Sequence, residues 1–144
     1  MTEELEVSRK AVGEASENIV LGRLMLLGLD IYRPAVDDKQ IDAIIRVQKE
    51  THTIYYEVQI KSVKAYNSVV GVRNLHEKPK NYFLIIYYRH DKNKDEFYYL
   101  KLQQAKELWT GPDGDWKEVQ LKKPERDKYK HQTLEHLAKT LLNK

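Results

Sequence analysis

The sequence has no cysteine at all, so disulfide scaffolds and cysteine-ligated zinc or iron–sulfur centres are excluded. It lacks long apolar runs as well. The longest, such as Leu24 to Leu29 and Tyr82 to Tyr88, fall far short of the roughly 20 residues needed to span a bilayer. A basic leader is missing, because the chain opens with Glu3, Glu4 and Glu6; an intracellular, cytoplasmic address is therefore expected. No repeat, low-complexity tract, glycine-rich phosphate loop or nucleophile elbow is found. His131 and His136 are five apart, which fits neither zinc-protease spacing, and they are expected on a helix surface.

What remains is 144 residues, 33% charged and 41% hydrophobic, with a mean hydropathy of −0.71. One compact domain of ordinary size follows. The net charge of +3 hides an asymmetry. Residues 1–60 carry 7 Lys/Arg against 11 Asp/Glu, whereas residues 61–144 carry 18 against 11. Such a chain can hold a polyanion beside a carboxylate-lined site, although charge bias often only solvates a surface.

Helical spacing of Val12, Ala15, Ile19, Val20, Leu24 and Leu27 predicts one helix over residues 2–27, with Thr2 as N-cap and Gly28 as its stop. A short strand over 29–33 ends at Pro34, and 36–40 form a polar turn. Strands over 41–48 and 53–63 flank a polar hairpin loop. Residues 64–80 read as a loop with a helical turn or two. The apolar run 82–89 predicts a central strand buried on both faces. A charged turn over 91–95 leads to a strand at 96–102 and a short helix at 102–108. A turn at 111–114, an edge strand at 116–121 and a final helix over 124–142 complete the chain. The order implies an α/β or α+β domain built on a mixed sheet.

The most informative spacing is Glu57-Val58-Gln59-Ile60-Lys61. On a strand, Glu57, Gln59 and Lys61 project from one face, about 7 Å apart, and Val58 and Ile60 from the other. Taken alone this is also what an amphipathic strand with one solvated face looks like. Asp42 stands at the start of the preceding strand, across the hairpin from Gln59. Adjacent strands lie about 4.8 Å apart, so oxygens of Asp42 and Gln59 can reach one cation. The plain alternative for Asp42 is a strand-start residue bonded to its own backbone.

Gly13-Glu14-Ala15-Ser16-Glu17, Arg33-Pro34, Ile41-Asp42 and Glu57-Val58-Gln59-Ile60-Lys61-Ser62 together resemble the PD-(D/E)XK nuclease superfamily. Within it the chain is similar to small members with Gln-x-Lys, as in some homing endonucleases, and to archaeal Holliday-junction resolvases. The resemblance covers residues 9–63 and more loosely 82–88. It implies a restriction-endonuclease-like core over about residues 2–102 of a single 1–144 domain, with 103–144 an elaboration. It also implies Mg²⁺-dependent phosphodiester hydrolysis, with Mn²⁺ as a substitute. Asp42, Gln59 and Glu17 match the metal-binding set, and Lys61 matches the lysine that positions the attacking water. Two departures stand out: Ile41 replaces the proline, and Gln59 replaces an acid. An amide oxygen still ligates a hard cation but brings no charge. Glu57 restores one if the strand twists or bulges to bring it round; otherwise it is a solvated strand carboxylate.

For the polyanion, Lys78, Lys80, Lys122, Lys123, Lys128 and Lys130 are the candidate phosphate contacts. Tyr55-Tyr56, Tyr87-Tyr88 and Tyr98-Tyr99 can stack on unpaired bases, but aromatic residues fill sheet surfaces in any case. The expectation is a DNA endonuclease acting as a homodimer or higher homo-oligomer. The alternatives are a catalytically weak nucleic-acid-binding module on the same fold and a nuclease acting on RNA.

Overall fold

The computed structural model describes residues 8–35, 40–89, 95–110 and 116–142. Helix α1 spans Arg9–Leu26, shorter than the sequence pattern predicts, and its N-cap is Ser8, whose side chain accepts the Ala11 N–H at 3.1 Å. Thr2 lies outside the described residues. Gly28 terminates the helix at φ 98°, a left-handed conformation that only glycine adopts freely.

Strands β1 (Asp30–Tyr32), β2 (Ala43–Gln48) and β3 (Thr53–Val63) form an antiparallel meander, with the expected hairpin between the last two. Residues 64–80 depart from expectation. They hold a fourth strand, β4 (Val70–Arg73), and a single 3-10 turn at Leu75–Glu77. Strand β5 (Tyr82–Tyr88) then pairs parallel to β3, and β6 (Glu96–Lys101) pairs antiparallel to β5. The main sheet thus has the order β1-β2-β3-β5-β6. All seven residues of β5 are buried, as an interior strand covered on both faces must be.

Helix α2 (Leu102–Glu107) follows, then β7 (Trp109–Thr110) and β8 (Trp116–Val119). A second sheet has the order β4-β8-β7. Strand β8, expected at an edge, is its middle strand. The expected final helix is two helices, α3 (Lys123–Lys128) and α4 (Leu134–Leu142). The break is anchored by two buried residues, Tyr129 and Gln132. Gln132 is drawn out of the helix by β6: its Nε2 donates to the Tyr99 carbonyl at 2.6 Å, and its own carbonyl accepts the Tyr99 N–H at 3.0 Å. The turns expected at 36–40, 91–95 and 111–114 fall wholly or largely outside the described residues.

Each face of the main sheet has its own apolar core. On one face α1 and α4 bury Val20, Leu21, Leu24, Leu137 and Leu141 against Val58, Ile60 and Ile85. On the other, the second sheet and α2 bury Val72, Val119 and Ala105 against Tyr82, Leu84, Ile86 and Leu100. That second layer covers β5 and β6 and stops short of β1 and β2. A ledge and a crevice result.

Candidate active site

Along β3, the residues facing the second layer change exposure in order. Tyr55 is 57% exposed, Glu57 is half-buried and Gln59 is only 3% exposed. The same polar row therefore runs from open surface into the crevice. Lys61, next in the row, is half-buried and sits in register with Ile86 of β5.

Asp42 closes the row from the side. Its N–H donates to the Val58 carbonyl at 2.9 Å, although Val58 is also opposite Ala43, the offset of a β-bulge. Its Oδ2 accepts the Ile60 N–H at 2.6 Å. The carboxylate thus satisfies a β3 amide just where the β2 ladder ends. A charge-assisted bond of this kind fixes the side chain.

Tyr82 ties the cluster together. It is 2% exposed, sits in register with Glu57, and donates its hydroxyl to Gln59 Oε1 at 2.8 Å. Burial raises its pKa strongly, and the charges of Asp42 and Glu57 raise it further. Both carboxylates therefore lie within electrostatic reach of this phenol, which stays neutral and donating.

Beside Glu57 opens a cavity of about 520 Å³, lined also by Gln40, Arg73, Asn74, Glu77 and Lys78. Asn74 is in the left-handed region, φ 52°, where asparagine is favoured among non-glycine residues. Lys78 Nζ stands 5.7 Å from the Tyr82 ring centroid. Arg73 and Lys78 thus share the crevice with Glu57, and with Glu77 beside them.

Asp42, Gln59 and Lys61 are gathered on one side of the sheet, with Glu57 in the same row. Glu17 is half-buried on α1 beside Ser16 and Val20, and that helix packs on the opposite face, so the expected convergence of Glu17 with the other three is not what the sheet provides. Among the described residues no three His, Asp or Glu side chains form a group able to hold a metal ion. The donors present, one carboxylate and one amide oxygen with Glu57 adjacent, fit a hard cation that keeps most of its water. Mg²⁺ is bound in this way, through one or two carboxylates and substrate phosphates.

The candidate lysines do not form one patch. Lys78 lines the crevice, and Lys80 is exposed two residues further along the chain. Lys122, Lys123 and Lys128 belong to α3 and its N-cap, and Lys123 is 3.1 Å from Asp127. Lys130 lines a different depression with Asp95, Glu96 and Glu135. Most of the paired tyrosines fill the sheet: Tyr87, Tyr88, Tyr98 and Tyr99 are buried, and Tyr56 stacks on Phe83. Only Tyr55 is open. His131 lies in the turn before α4 and not on a helix, while His136 is held 2.6 Å from the Tyr99 hydroxyl and stacks on its ring.

Tyr82 and Arg73 were not readable as site residues. Tyr82 blends into an apolar run, and Arg73 reaches the crevice through a strand whose partner lies far along the chain.

Neither a family model nor a curated protein matches the sequence. Among solved structures the chain is similar to a bacterial homing endonuclease, I-Ssp6803I, with a TM-score of 0.56 and 20% identity, covering 81% of this chain and 80% of that one. It is also similar to Hjc, a Holliday junction resolvase from Archaeoglobus fulgidus, with a TM-score of 0.47 and 10% identity over 76% and 84% of the two chains. The sheet order, the flanking helices and the likeness to the first of these give the chain a restriction-endonuclease-like fold.

Proposed function

We propose that the chain is a metal-dependent endonuclease that hydrolyses phosphodiesters in DNA. The observation that carries this reading is the fixed carboxylate of Asp42, bonded to the Ile60 amide beside the buried Gln59–Tyr82 pair and in reach of the Lys61 row. The likeness to a homing endonuclease supports it.

Asp42 and Gln59 would hold Mg²⁺ at the crevice; Glu17, on the helix that packs on the opposite face, is given no part in it. Bound there, the ion supplies Lewis-acid neutralisation of the phosphate oxygens. The Lys61 ammonium orients the attacking water or a nonbridging oxygen. Lys78 and Arg73 hold the backbone on the opposite wall, positioning it without reading bases. Two symmetric copies are the simplest means of cutting both strands, which sedimentation at assay concentration checks.

The test is cleavage of supercoiled plasmid with Mg²⁺ or Mn²⁺. Asp42→Ala and Lys61→Ala each lower nicking by about 100-fold or more, since ligand-centred charge stabilisation contributes several kcal/mol. Unchanged nicking in both variants overturns the reading. One observation favours a second reading, a binding module without efficient catalysis: the second ligand is an uncharged amide already engaged by Tyr82. DNA binding without cleavage in the unmutated protein would select it.

A further inference from the structure

The ledge beside the crevice has a composition that the crevice chemistry does not use. Tyr32 pairs in register with Ile44, and Arg46 with Tyr55. In-register partners share a face, and here it is the face of Glu57, because Ile44 is also opposite Glu57. The four side chains line a shallow depression of about 350 Å³. Both tyrosines are open to solvent, Tyr32 at 51% and Tyr55 at 57%. Of the other paired tyrosines, Tyr87, Tyr88, Tyr98 and Tyr99 are buried and Tyr56 is half-buried.

We infer that this ledge is a binding site for a short single-stranded DNA segment, with one unpaired base stacked on Tyr55, another on Tyr32, and the intervening phosphate on Arg46. The inference rests on the nucleic-acid reading of the crevice and extends it outward. Three features carry it.

First, the rings stand on strands two apart and two residues out of level, since Tyr32 is opposite Ile44 and Tyr55 opposite Arg46, which separates them by roughly 12 Å. That spacing suits separate bases of an extended strand. Second, the floor between them is apolar at Ile44 and cationic at Arg46, matching a base and a phosphate. The arginine is restrained by Asp30 at 3.6 Å and by Gln48 at 2.8 Å. The Asp30 pair is solvent-exposed and weak, so the guanidinium swings to a phosphate at little cost. Third, the ledge is continuous with the candidate catalytic row. Tyr55 precedes Glu57 on one face of one strand, about 7 Å away. A strand crossing the ledge therefore runs directly into the crevice.

Base stacking on an exposed aromatic tolerates any sequence. The ledge would consequently favour sites where a duplex is frayed, branched or gapped, and would not select a base sequence.

The test is fluorescence anisotropy with a labelled oligothymidylate and, separately, a blunt duplex, both in chelator so that no strand is cut. Tyr55→Ala and Tyr32→Ala each weaken oligothymidylate binding about 5- to 150-fold, the loss of one stacked base. Duplex binding changes less than threefold. Tyr55→Phe and Tyr32→Phe retain binding, because a ring suffices. Asp30→Asn tightens it by releasing Arg46 and removing a like charge. Unchanged single-strand affinity in the double alanine variant overturns the inference, as does failure of the unmutated protein to bind oligothymidylate. Phenylalanine variants as weak as alanine overturn it too. Cleavage is not measured in this assay, so a protein that binds through the ledge but never nicks plasmid refutes the nuclease reading alone.

Discussion

Gln59 is the residue on which catalytic competence turns. Its Oε1 already accepts the Tyr82 hydroxyl, and it contributes no charge to the cluster. Gln59→Glu adds that charge, so Mn²⁺ affinity by calorimetry is expected to rise about tenfold, since ligand charge tunes affinity for hard cations. The metal-free variant melts earlier, because a carboxylate is then buried without a counter-ion. Added Mn²⁺ should restore more of that loss than it gives the unmutated protein. Tyr82 and Tyr88 set a second expectation. Burial is the main cause in both, raising Tyr82 strongly and pushing Tyr88 up to about 12 from the ordinary 10.0 of a free tyrosine. A phenol whose pKa is raised on folding stabilises the protein below pH 10 and loses that contribution as pH climbs toward the folded value. Tyrosinate absorbance and far-ultraviolet dichroism followed together from pH 9 upward should report ionisation coupled to unfolding. Free titration of these tyrosines near pH 10 with the fold intact would contradict their burial. At this scale the shared face of Glu57, Gln59 and Lys61 was legible, because strand alternation assigns faces without any knowledge of neighbours. Tyr82 was not, since its role comes from a parallel register joining residues 25 apart.

The elements show why local pattern carried some boundaries and missed others. Strands β3 and β5 announce themselves, one by alternation and one by an unbroken apolar run. Strand β4 has only four residues, including Gly71, and its buried Val70 and Val72 give too short a period to distinguish it from a loop. The break between α3 and α4 contains neither glycine nor proline. It exists because Gln132 pairs with the edge strand β6 and exchanges amide bonds of 2.9 Å with Gln104. This clasp also covers an edge that would otherwise offer unpaired groups to another chain. Gln132→Ala leaves the Tyr99 carbonyl and the Gln104 amide short of partners, and should cost about 1–3 kcal/mol. Urea unfolding measures it, with an unchanged m-value showing that the native state remains compact.

Across the whole molecule, the acidic first half and basic second half meet at the crevice. Glu57 comes from one, and Arg73 and Lys78 from the other, with Glu77 beside them. The charge asymmetry was visible in composition, but the dispersal of the candidate lysines was not, because it depends on how α3 and the second sheet are placed. If backbone binding is concentrated at the crevice, Lys78→Ala should lower the log–log salt slope of duplex binding by about one, uniformly across sequences. Lys123→Ala should leave it nearly unchanged, because that ammonium stands beside Asp127 on another element. Equal effects from both would place the duplex over α3 instead.

The register of β4 has a temporal consequence. Arg73 is opposite Trp116 and Val70 is opposite Val119, so the wall carrying Arg73 is secured by a strand made more than 40 residues later. During synthesis the Asp42 carboxylate and its hairpin leave the ribosome well before the opposing cations can be locked in place. Until translation has passed β8, Arg73 is present in the chain but its strand has no partner, so the wall of the crevice that carries it is the last to be set.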